Sequence, residues 1–175
     1  MPRIKAGSLN INYETFGDGE PLLLIMGFGM PGRAWLPRIP RFNGFKVIIY
    51  DNRGTGDSDK PDQPVYAIAD MADDASALLR ALNIPRVKIC GFSMGGMIAQ
   101  ELALRHPDQV IKAVFGCTVA GGPTAQMENP GGGDRAARQQ CAASKLHRRF
   151  PLFLARRRCR HAPYSRPVSR RLSAY

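Results

Sequence analysis

A serine between glycines carries the clearest chemical signal in this 175-residue sequence. Residues 91–96 read Gly-Phe-Ser-Met-Gly-Gly, so that Ser93 has a glycine two residues away on each side. An apolar run precedes the string and a helical pattern follows it. A serine in such a strand-to-helix turn has a strained backbone and an exposed hydroxyl, an arrangement called a nucleophile elbow. The spacing predicts that Ser93 is a nucleophile, with Gly91 and Gly95 removing side chains that would clash there. A turn with an incidental serine is the alternative.

A second glycine-rich stretch could complete this chemistry. Residues 27–30 read Gly-Phe-Gly-Met and directly follow an apolar run. In acyl transfer, a loop of this kind supplies one backbone N–H to an oxyanion, and the residue after the nucleophile supplies the other. We therefore expect an oxyanion hole made by the backbone N–H groups of Phe28 and Met94. A loop that only turns the chain is the alternative.

Short apolar runs alternate with helical patterns over the first 120 residues, which is typical of an α/β protein with a mostly parallel sheet. The predicted strands are Ser8–Phe16, Pro21–Met26, Phe45–Tyr50, Arg86–Cys90 and Val110–Phe115. Apolar spacings of three and four predict a helix over 70–83, with Asp70 as its N-cap. A second helix should run from Met94 to Arg105. These elements would place Ser93 between the fourth predicted strand and the second helix.

A third string makes the pattern recognisable. Residues 51–58 read Asp-Asn-Arg-Gly-Thr-Gly-Asp-Ser and follow the third predicted strand. Together with the elbow and the Gly-Phe-Gly loop, this string resembles the α/β-hydrolase superfamily, in the branch of 3-oxoadipate enol-lactonase-like lactonases, carboxylesterases and cofactor-free haloperoxidases. The resemblance covers about residues 8 to 123. One departure is Met26, where most members have histidine. Because the expected donor is a backbone N–H, the oxyanion hole should tolerate this change.

The resemblance implies both a fold and an activity. The fold is the N-terminal part of the α/β-hydrolase sheet with flanking helices. The activity is hydrolysis of a small carboxylic ester or lactone, with Ser93 as nucleophile and no cofactor or metal. A cofactor-free haloperoxidase or a C–C hydrolase on the same fold is the alternative. Asp51 and Arg53 would organise a loop, although such a pair beside a pocket could also position a substrate.

The remaining members of a catalytic triad are missing from the pattern. In the family, the acid and then the histidine follow later strands. After Glu128 the only acid is Asp134, and the histidines beyond the elbow are His106, His147 and His161. None of them follows a strand-like run. The triad acid and base are therefore unknown, and we expect this chain to be impaired as an enzyme.

The charge distribution divides the sequence at residue 130. Residues 1–130 hold 13 basic and 13 acidic side chains, whereas residues 131–175 hold 12 basic side chains and one acid. We expect an incomplete α/β-hydrolase domain over 1–130 and a disordered arginine-rich tail over 131–175. The tail resembles an out-of-frame reading of a GC-rich gene, which predicts a truncation or frameshift after about residues 123–130. A short homologue with a functional tail is the alternative.

Composition also bears on location and partners. The longest apolar run is about half of a membrane span, and no apolar stretch follows the N-terminal basic residues, so we expect no membrane partner and no signal peptide. The four cysteines lack C-x-x-C or zinc spacing, which favours free thiols in the cytoplasm, with Cys90 and Cys117 buried. The expected partner is a small-molecule substrate. A binder of nucleic acid or anionic surfaces through the tail is the hypothesis from another class, but few aromatic residues accompany the arginines, which disfavours nucleic acid.

Overall fold

A computed structural model describes residues 2–62 and 65–119 of the chain. The expectations for the 131–175 tail, for Asp134 and for His147 and His161 lie outside the described residues. The described part forms six strands and two α-helices. The strands are β1 Arg3–Ala6, β2 Leu9–Phe16, β3 Glu20–Ile25, β4 Phe45–Tyr50, β5 Val87–Phe92 and β6 Val110–Gly116. The helices are α1 Ile68–Ala81 and α2 Met94–Arg105, with 3-10 helices at Gly32–Arg41 and Pro107–Gln109.

All strands belong to one twisted sheet in the order β1-β2-β4-β3-β5-β6. The pairs β3–β4, β3–β5 and β5–β6 are parallel, whereas β1–β2 and β2–β4 are antiparallel. The mostly parallel sheet with helices confirms the predicted fold class. Because β3, β4 and β5 are parallel, their carboxyl ends meet at one edge of the sheet. The loops that follow these three strands carry all three of the strings singled out in the sequence.

Each face of the central strands is buried for its own reason. Leu23 and Ile25 of β3 belong to the large core under α1 and α2, where apolar residues of both helices cover the sheet. Leu22 and Leu24 point to the opposite face, and the 3-10 helix packs Trp35 against them. A strand covered on both faces reads as a continuous apolar run. This explains why residues 21–26 carry no polar alternation.

The observed bounds agree closely with the predicted ones, with two exceptions. The strand β1 was not predicted, because it has only four residues and its single turn signal, Gly7, follows it with a φ of 63°. The N-cap prediction is wrong, since α1 begins after Ala67 and Asp70 lies in its first turn. Asp70 is held there by Arg53, with 3.4 Å between the guanidinium and the carboxylate. The helix begins two residues earlier than predicted, at Ile68, whose side chain packs against the main core.

Within the described residues, β6 is the last strand of the sheet and pairs only with β5. Its apolar residues alternate between the faces: Ala113 and Phe115 are buried in the core, whereas Val114 is exposed. A parallel strand with an open edge offers unpaired N–H and C=O groups to another segment. Among residues 2–62 and 65–119, no strand pairs with the other edge of β6.

Candidate active site

Ser93 occupies a single-residue turn between β5 and α2. Its backbone has φ 57° and ψ −124°, a combination that L-residues rarely adopt. Such a conformation costs on the order of 1–3 kcal/mol and persists only when the surroundings enforce it. Two backbone hydrogen bonds do so: Ser93 N–H donates to the carbonyl of Gly116 at 2.9 Å, and Gly96 N–H donates to the carbonyl of Ser93 at 2.8 Å. The strain expected from the sequence is present at the predicted residue.

The glycines of the elbow are explained by backbone atoms, not by turn preference alone. A Cβ on Gly91 would lie 2.2 Å from the carbonyl oxygen of Gly95, and a Cβ on Gly95 would lie 2.2 Å from that of Ile25. On Gly96 it would lie 2.6 Å from the Thr118 side chain. These contacts are far inside van der Waals distance. The close approach of β5, α2 and β3 therefore excludes a side chain at Gly91 and Gly95, and a side chain at Gly96 would have to displace Thr118.

The Gly-rich loop (residues 27–30) contacts the elbow directly. A Cβ on Gly27 would lie 3.1 Å from Ser93 Cβ and 3.5 Å from Ser93 Oγ. The loop itself is a turn in which Met30 N–H donates to the carbonyl of Gly27 at 3.4 Å, and Gly29 has a φ of 66°. At its tip, the Phe28 residue is 83% exposed. The two predicted parts of the site therefore meet beside the Ser93 hydroxyl.

Met94 is the first residue of α2, where backbone N–H groups lack intrahelical partners and the helix dipole is positive. Phe28 is adjacent to Gly27 in the loop that touches Ser93. Both positions are compatible with N–H donors converging on a charge near Ser93. The oxyanion-hole role of Phe28 and Met94 stays a prediction, since it concerns an oxyanion that forms only on reaction.

The loop after β4 is held by a network of hydrogen bonds centred on Asp51. This buried carboxylate accepts hydrogen bonds from the N–H of Gly32 at 2.7 Å, from the N–H of Asp57 at 2.9 Å and from the amide Nδ2 of Asn12 at 2.7 Å. A Cβ on Gly56 would lie 2.1 Å from its Oδ2 atom. These contacts support an organising role for Asp51.

Arg53 makes a different set of contacts. Its guanidinium forms two hydrogen bonds with the buried carboxylate of Asp74, at 2.6 and 2.8 Å. The hydrogen bond to Asp74 raises the pKa of Arg53. This pair ties the loop after β4 to helix α1. The structural role expected for Arg53 is supported, because its hydrogen-bonding groups face α1.

One residue that the sequence analysis did not single out also reaches the Gly-rich loop. Asn52 is only 2% exposed, and its Nδ2 donates to the carbonyl of Met26 at 3.1 Å. Met26 immediately precedes the loop. In the sequence, only the position of Asn52 between Asp51 and Arg53 could indicate a role, and nothing there distinguishes it from a residue that merely separates the two.

His106 is the one histidine downstream of Ser93 within the described residues. Its Nε2 lies 2.7 Å from Oδ1 of Asp73, and Oδ2 of the same carboxylate accepts a hydrogen bond from Arg105 at 2.7 Å. The hydrogen bonds from Arg105 and then from His106 lower the pKa of Asp73 to about 2. This group lies at the far end of α2, about 18 Å along the axis from Ser93 at 1.5 Å per residue. His106 is therefore too distant to act as the base for Ser93.

The two cysteines within the described residues differ from the expectation. Cys90 is partly buried on β5, and burial raises the pKa of its thiol. Cys117 is exposed and has a φ of 50°, so the prediction that it is buried is wrong. The apolar run that suggested burial ends at Phe115, where the chain leaves the sheet.

An open polar cleft lies apart from the elbow. It has a volume of about 550 Å³ and is lined by Arg3, Asn12 and residues 56–60. None of these residues belongs to the elbow or to the Gly-rich loop. The cleft is therefore not formed by the residues predicted to make up the site.

Residues 2–62 and 65–119 contain no group of three or more His, Cys, Asp or Glu side chains placed to hold a metal ion. No helix among them has the length and apolar character to cross a membrane.

Comparison with known proteins places this geometry in context. The protein BpoC of Mycobacterium tuberculosis, named as a non-heme bromoperoxidase, is 36% identical over 113 residues, which are 63% of this chain and 42% of BpoC. The protein RutD of Variovorax paradoxus, named as a carbamate hydrolase, is 40% identical over 109 residues, or 60% of this chain and 41% of RutD. The crystal structure of the enol-lactonase from Burkholderia xenovorans LB400 is similar with a TM-score of 0.64 and 29% identity, over 67% of this chain and 47% of that one.

The chain thus spans less than half the length of each of these proteins. The family model described as the alpha/beta hydrolase fold matches residues 20–169. The matched range passes residue 130, so the domain boundary there and the origin of the 131–175 tail stay predictions. Since the match covers most of the sequence, and since the strand order and the elbow were already evident, the chain belongs to the α/β hydrolase fold family.

Proposed function

We propose that this chain carries the nucleophilic half of a serine hydrolase that acts on small carboxylic esters or lactones. Ser93 would attack the substrate carbonyl, and the backbone N–H groups of Phe28 and Met94 would stabilise the tetrahedral oxyanion. Water would then release the acyl group. The observation that carries the proposal is the strained Ser93 backbone, with its side chain against the Gly-rich loop.

The strain is difficult to explain as a consequence of folding alone. A glycine at position 93 would adopt a φ of 57° with little cost, whereas serine bears the full steric penalty. The close approach of β5 and α2 also excludes side chains at Gly91 and Gly95, on both sides of Ser93. A turn needed only for chain reversal has no requirement for a side-chain hydroxyl at this point. A nucleophile does have that requirement.

The proposal also accounts for what a complete enzyme needs beyond these residues. A serine is a weak nucleophile until a base accepts its proton, and the base needs an orienting acid. No described residue fills the role of base, because His106 bonds Asp73 at the other end of α2. We infer that the chain alone is impaired, and that turnover requires an acid and a histidine that follow β6 in a complete relative.

Other reactions on this fold are supported by the relatives. Similarity to BpoC and RutD supports bromoperoxidase and carbamate hydrolase activities, and a C–C hydrolase would use the same nucleophile. Structural similarity to the enol-lactonase supports esters and lactones. A similar solved structure of a meta-cleavage product hydrolase, at 32% identity, supports a C–C hydrolase in the same way. Peroxidase assays with bromide, and hydrolysis assays with a carbamate, distinguish these activities from ester hydrolysis.

Acylation by an activated ester tests the proposal. Incubation with p-nitrophenyl acetate should produce slowly a single acetyl adduct, detected by intact-protein mass spectrometry and mapped to Ser93. The Ser93→Ala variant should lack the adduct, while Ser8→Ala, which alters an exposed serine of the β1–β2 turn, should retain it. An adduct that persists in Ser93→Ala would contradict the proposed nucleophile.

A further inference from the structure

Two neighbouring residues at the end of β4 hold both flanks of the Gly-rich loop. Asn52 donates from Nδ2 to the carbonyl of Met26, the residue just before the loop, at 3.1 Å. Asp51 accepts a hydrogen bond from the N–H of Gly32, two residues beyond the loop, at 2.7 Å. The loop is thereby fixed at its entry and at its exit by one dipeptide. Its tip makes no such contact with the loop after β4 among the described residues.

The entry contact lies next to the reacting centre. A Cβ on Gly95, in the first turn of α2, would lie 2.7 Å from the carbonyl oxygen of Met26. The following residue, Gly27, packs against Ser93 Cβ. Because a peptide group is planar, the orientation of the Met26 carbonyl also sets that of the Gly27 N–H and limits the path of the chain to Phe28. A hydrogen bond to this carbonyl therefore acts on the predicted oxyanion donor.

The Asn52 side chain is poorly explained by stability. It is 98% buried, and its Oδ1 atom has no hydrogen-bond partner among residues 2–62 and 65–119. An unsatisfied buried acceptor costs about as much as one buried hydrogen bond contributes. A leucine would fill similar space without an unpaired Oδ1, but the Met26 carbonyl would lose this donor. What asparagine supplies beyond leucine is the single donor to the Met26 carbonyl, since only the amide NH₂ can bond a carbonyl oxygen.

We propose that Asn52 is a positioning residue for the oxyanion hole, with Asp51 securing the other flank of the same loop. The inference rests on the proposed function of Ser93, because it assigns to Asn52 the orientation of the Phe28 N–H. Loss of the Asn52 donor should weaken stabilisation of the developing charge more than it weakens folding or the initial binding of a reagent.

The test compares Asn52→Leu with Ser58→Ala in the full chain. Ser58 is a buried neighbour whose hydroxyl donates to the carbonyl of Asp51 and accepts from the N–H of Asn12, so it contacts the same network without contacting the Gly-rich loop. The probe is a small alkyl fluorophosphonate that labels Ser93. Its inactivation kinetics separate reversible binding, KI, from the rate of covalent reaction, kinact. Amide hydrogen exchange of residues 27–32 is measured on the same samples.

In Asn52→Leu we expect kinact to fall about tenfold with KI unchanged, because misaligning one donor costs less than the 10²–10³ that follows its removal. The hydrogen-exchange rates of the amides in residues 27–32 should rise by about tenfold, because the loop loses one buried hydrogen bond and opens more readily. Ser58→Ala should change neither quantity. If Asn52→Leu does not fold, Asn52→Ala removes the same donor and takes its place.

The inference would be overturned if the amides of residues 27–32 in Asn52→Leu exchanged at the wild-type rate, or if kinact did not change. It would also be overturned if Ser58→Ala affected both quantities as much as Asn52→Leu does. Absence of Ser93-dependent labelling in the wild-type chain has a different meaning. Combined with raised loop exchange in Asn52→Leu, it would count against the proposed function and leave the loop restraint by Asn52 intact.

Discussion

Replacing Gly95 by alanine tests whether the elbow depends on the close approach of α2 to β3. The new Cβ would lie 2.2 Å from the carbonyl oxygen of Ile25 and 2.7 Å from that of Met26. Both obstacles are backbone atoms, so no rotamer change can relieve them. The start of α2 would have to move by roughly 1 Å away from β3 to restore ordinary contact.

Two opposing effects decide whether this substitution raises or lowers the unfolding free energy. Alanine is favoured over glycine by about 1 kcal/mol inside a helix, which would stabilise α2. Overpacking of a buried contact costs about 1–3 kcal/mol, and the cost is at the upper end when the backbone must move. We expect the unfolding free energy to fall by about 2 kcal/mol, a large part of the 5–15 kcal/mol of a whole domain.

Urea unfolding followed by circular dichroism measures this change. With a typical m-value of about 1–3 kcal/mol/M, the midpoint of Gly95→Ala should fall by about 1 M or more. Gly116→Ala is the matched control, because its Cβ would meet its nearest neighbours at an ordinary 3.7 Å. Its unfolding free energy should change by less than about 0.5 kcal/mol. A Gly95→Ala chain as stable as the wild type would refute the reasoning.

Further predictions concern other parts of the chain. Arg53→Met should cost about 3 kcal/mol in urea unfolding, because it leaves the buried Asp74 carboxylate unpaired. Arg33→Met, at an exposed pair with Glu14, should leave the urea midpoint nearly unchanged. Because the pKa of Asp73 is lower in the folded chain than its unfolded value of 3.8, the ionised carboxylate stabilises the fold above pH 3.8. This stabilisation is lost as the pH falls through about 2. An Asp73→Asn variant should therefore lose stability at pH 6 but match the wild type near pH 2; a constant difference across this range would contradict the assignment. Sequencing of codons 124–135 should reveal, in another frame, a continuation with an acid and then a histidine; if no frame contains them, the frameshift explanation fails. Deletion of residues 131–175 should abolish any salt-sensitive binding to anionic polymers, measured by fluorescence anisotropy, and undiminished binding would exclude the tail as its source.

The elements around the site could be predicted because their sequence signals are local. The burial of β3 on both faces produces an apolar run, and the helix α2 begins and ends where glycines and His106-Pro107 indicate. The string Gly-Phe-Ser-Met-Gly-Gly predicted the strained turn because the steric demand arises within six residues. These features needed no knowledge of distant contacts.

Features that depend on distant contacts could not be predicted in this way. Ile68 packs against the core and extends α1 beyond the predicted N-cap Asp70, and Asp73 pairs with His106, which lies 33 residues further along the chain. The contact of Asn52 with Met26 exists only because β3 and β4 end side by side. Nothing in the local sequence distinguishes this asparagine from a spacer. The roles of Ser93, Phe28 and Met94 in a reaction remain predictions for experiment.

Fluorophosphonate labelling followed by peptide mapping tests the central claim most directly. Ser93 should carry the adduct, and Ser93→Ala should remain unlabelled while Ser8→Ala labels like the wild type. The reaction should be far slower than in a relative that has the complete triad, because no described residue of this chain is placed to accept the hydroxyl proton. An adduct on another residue would contradict Ser93 as the nucleophile, and rapid stoichiometric labelling at Ser93 would show that a base operates in this chain.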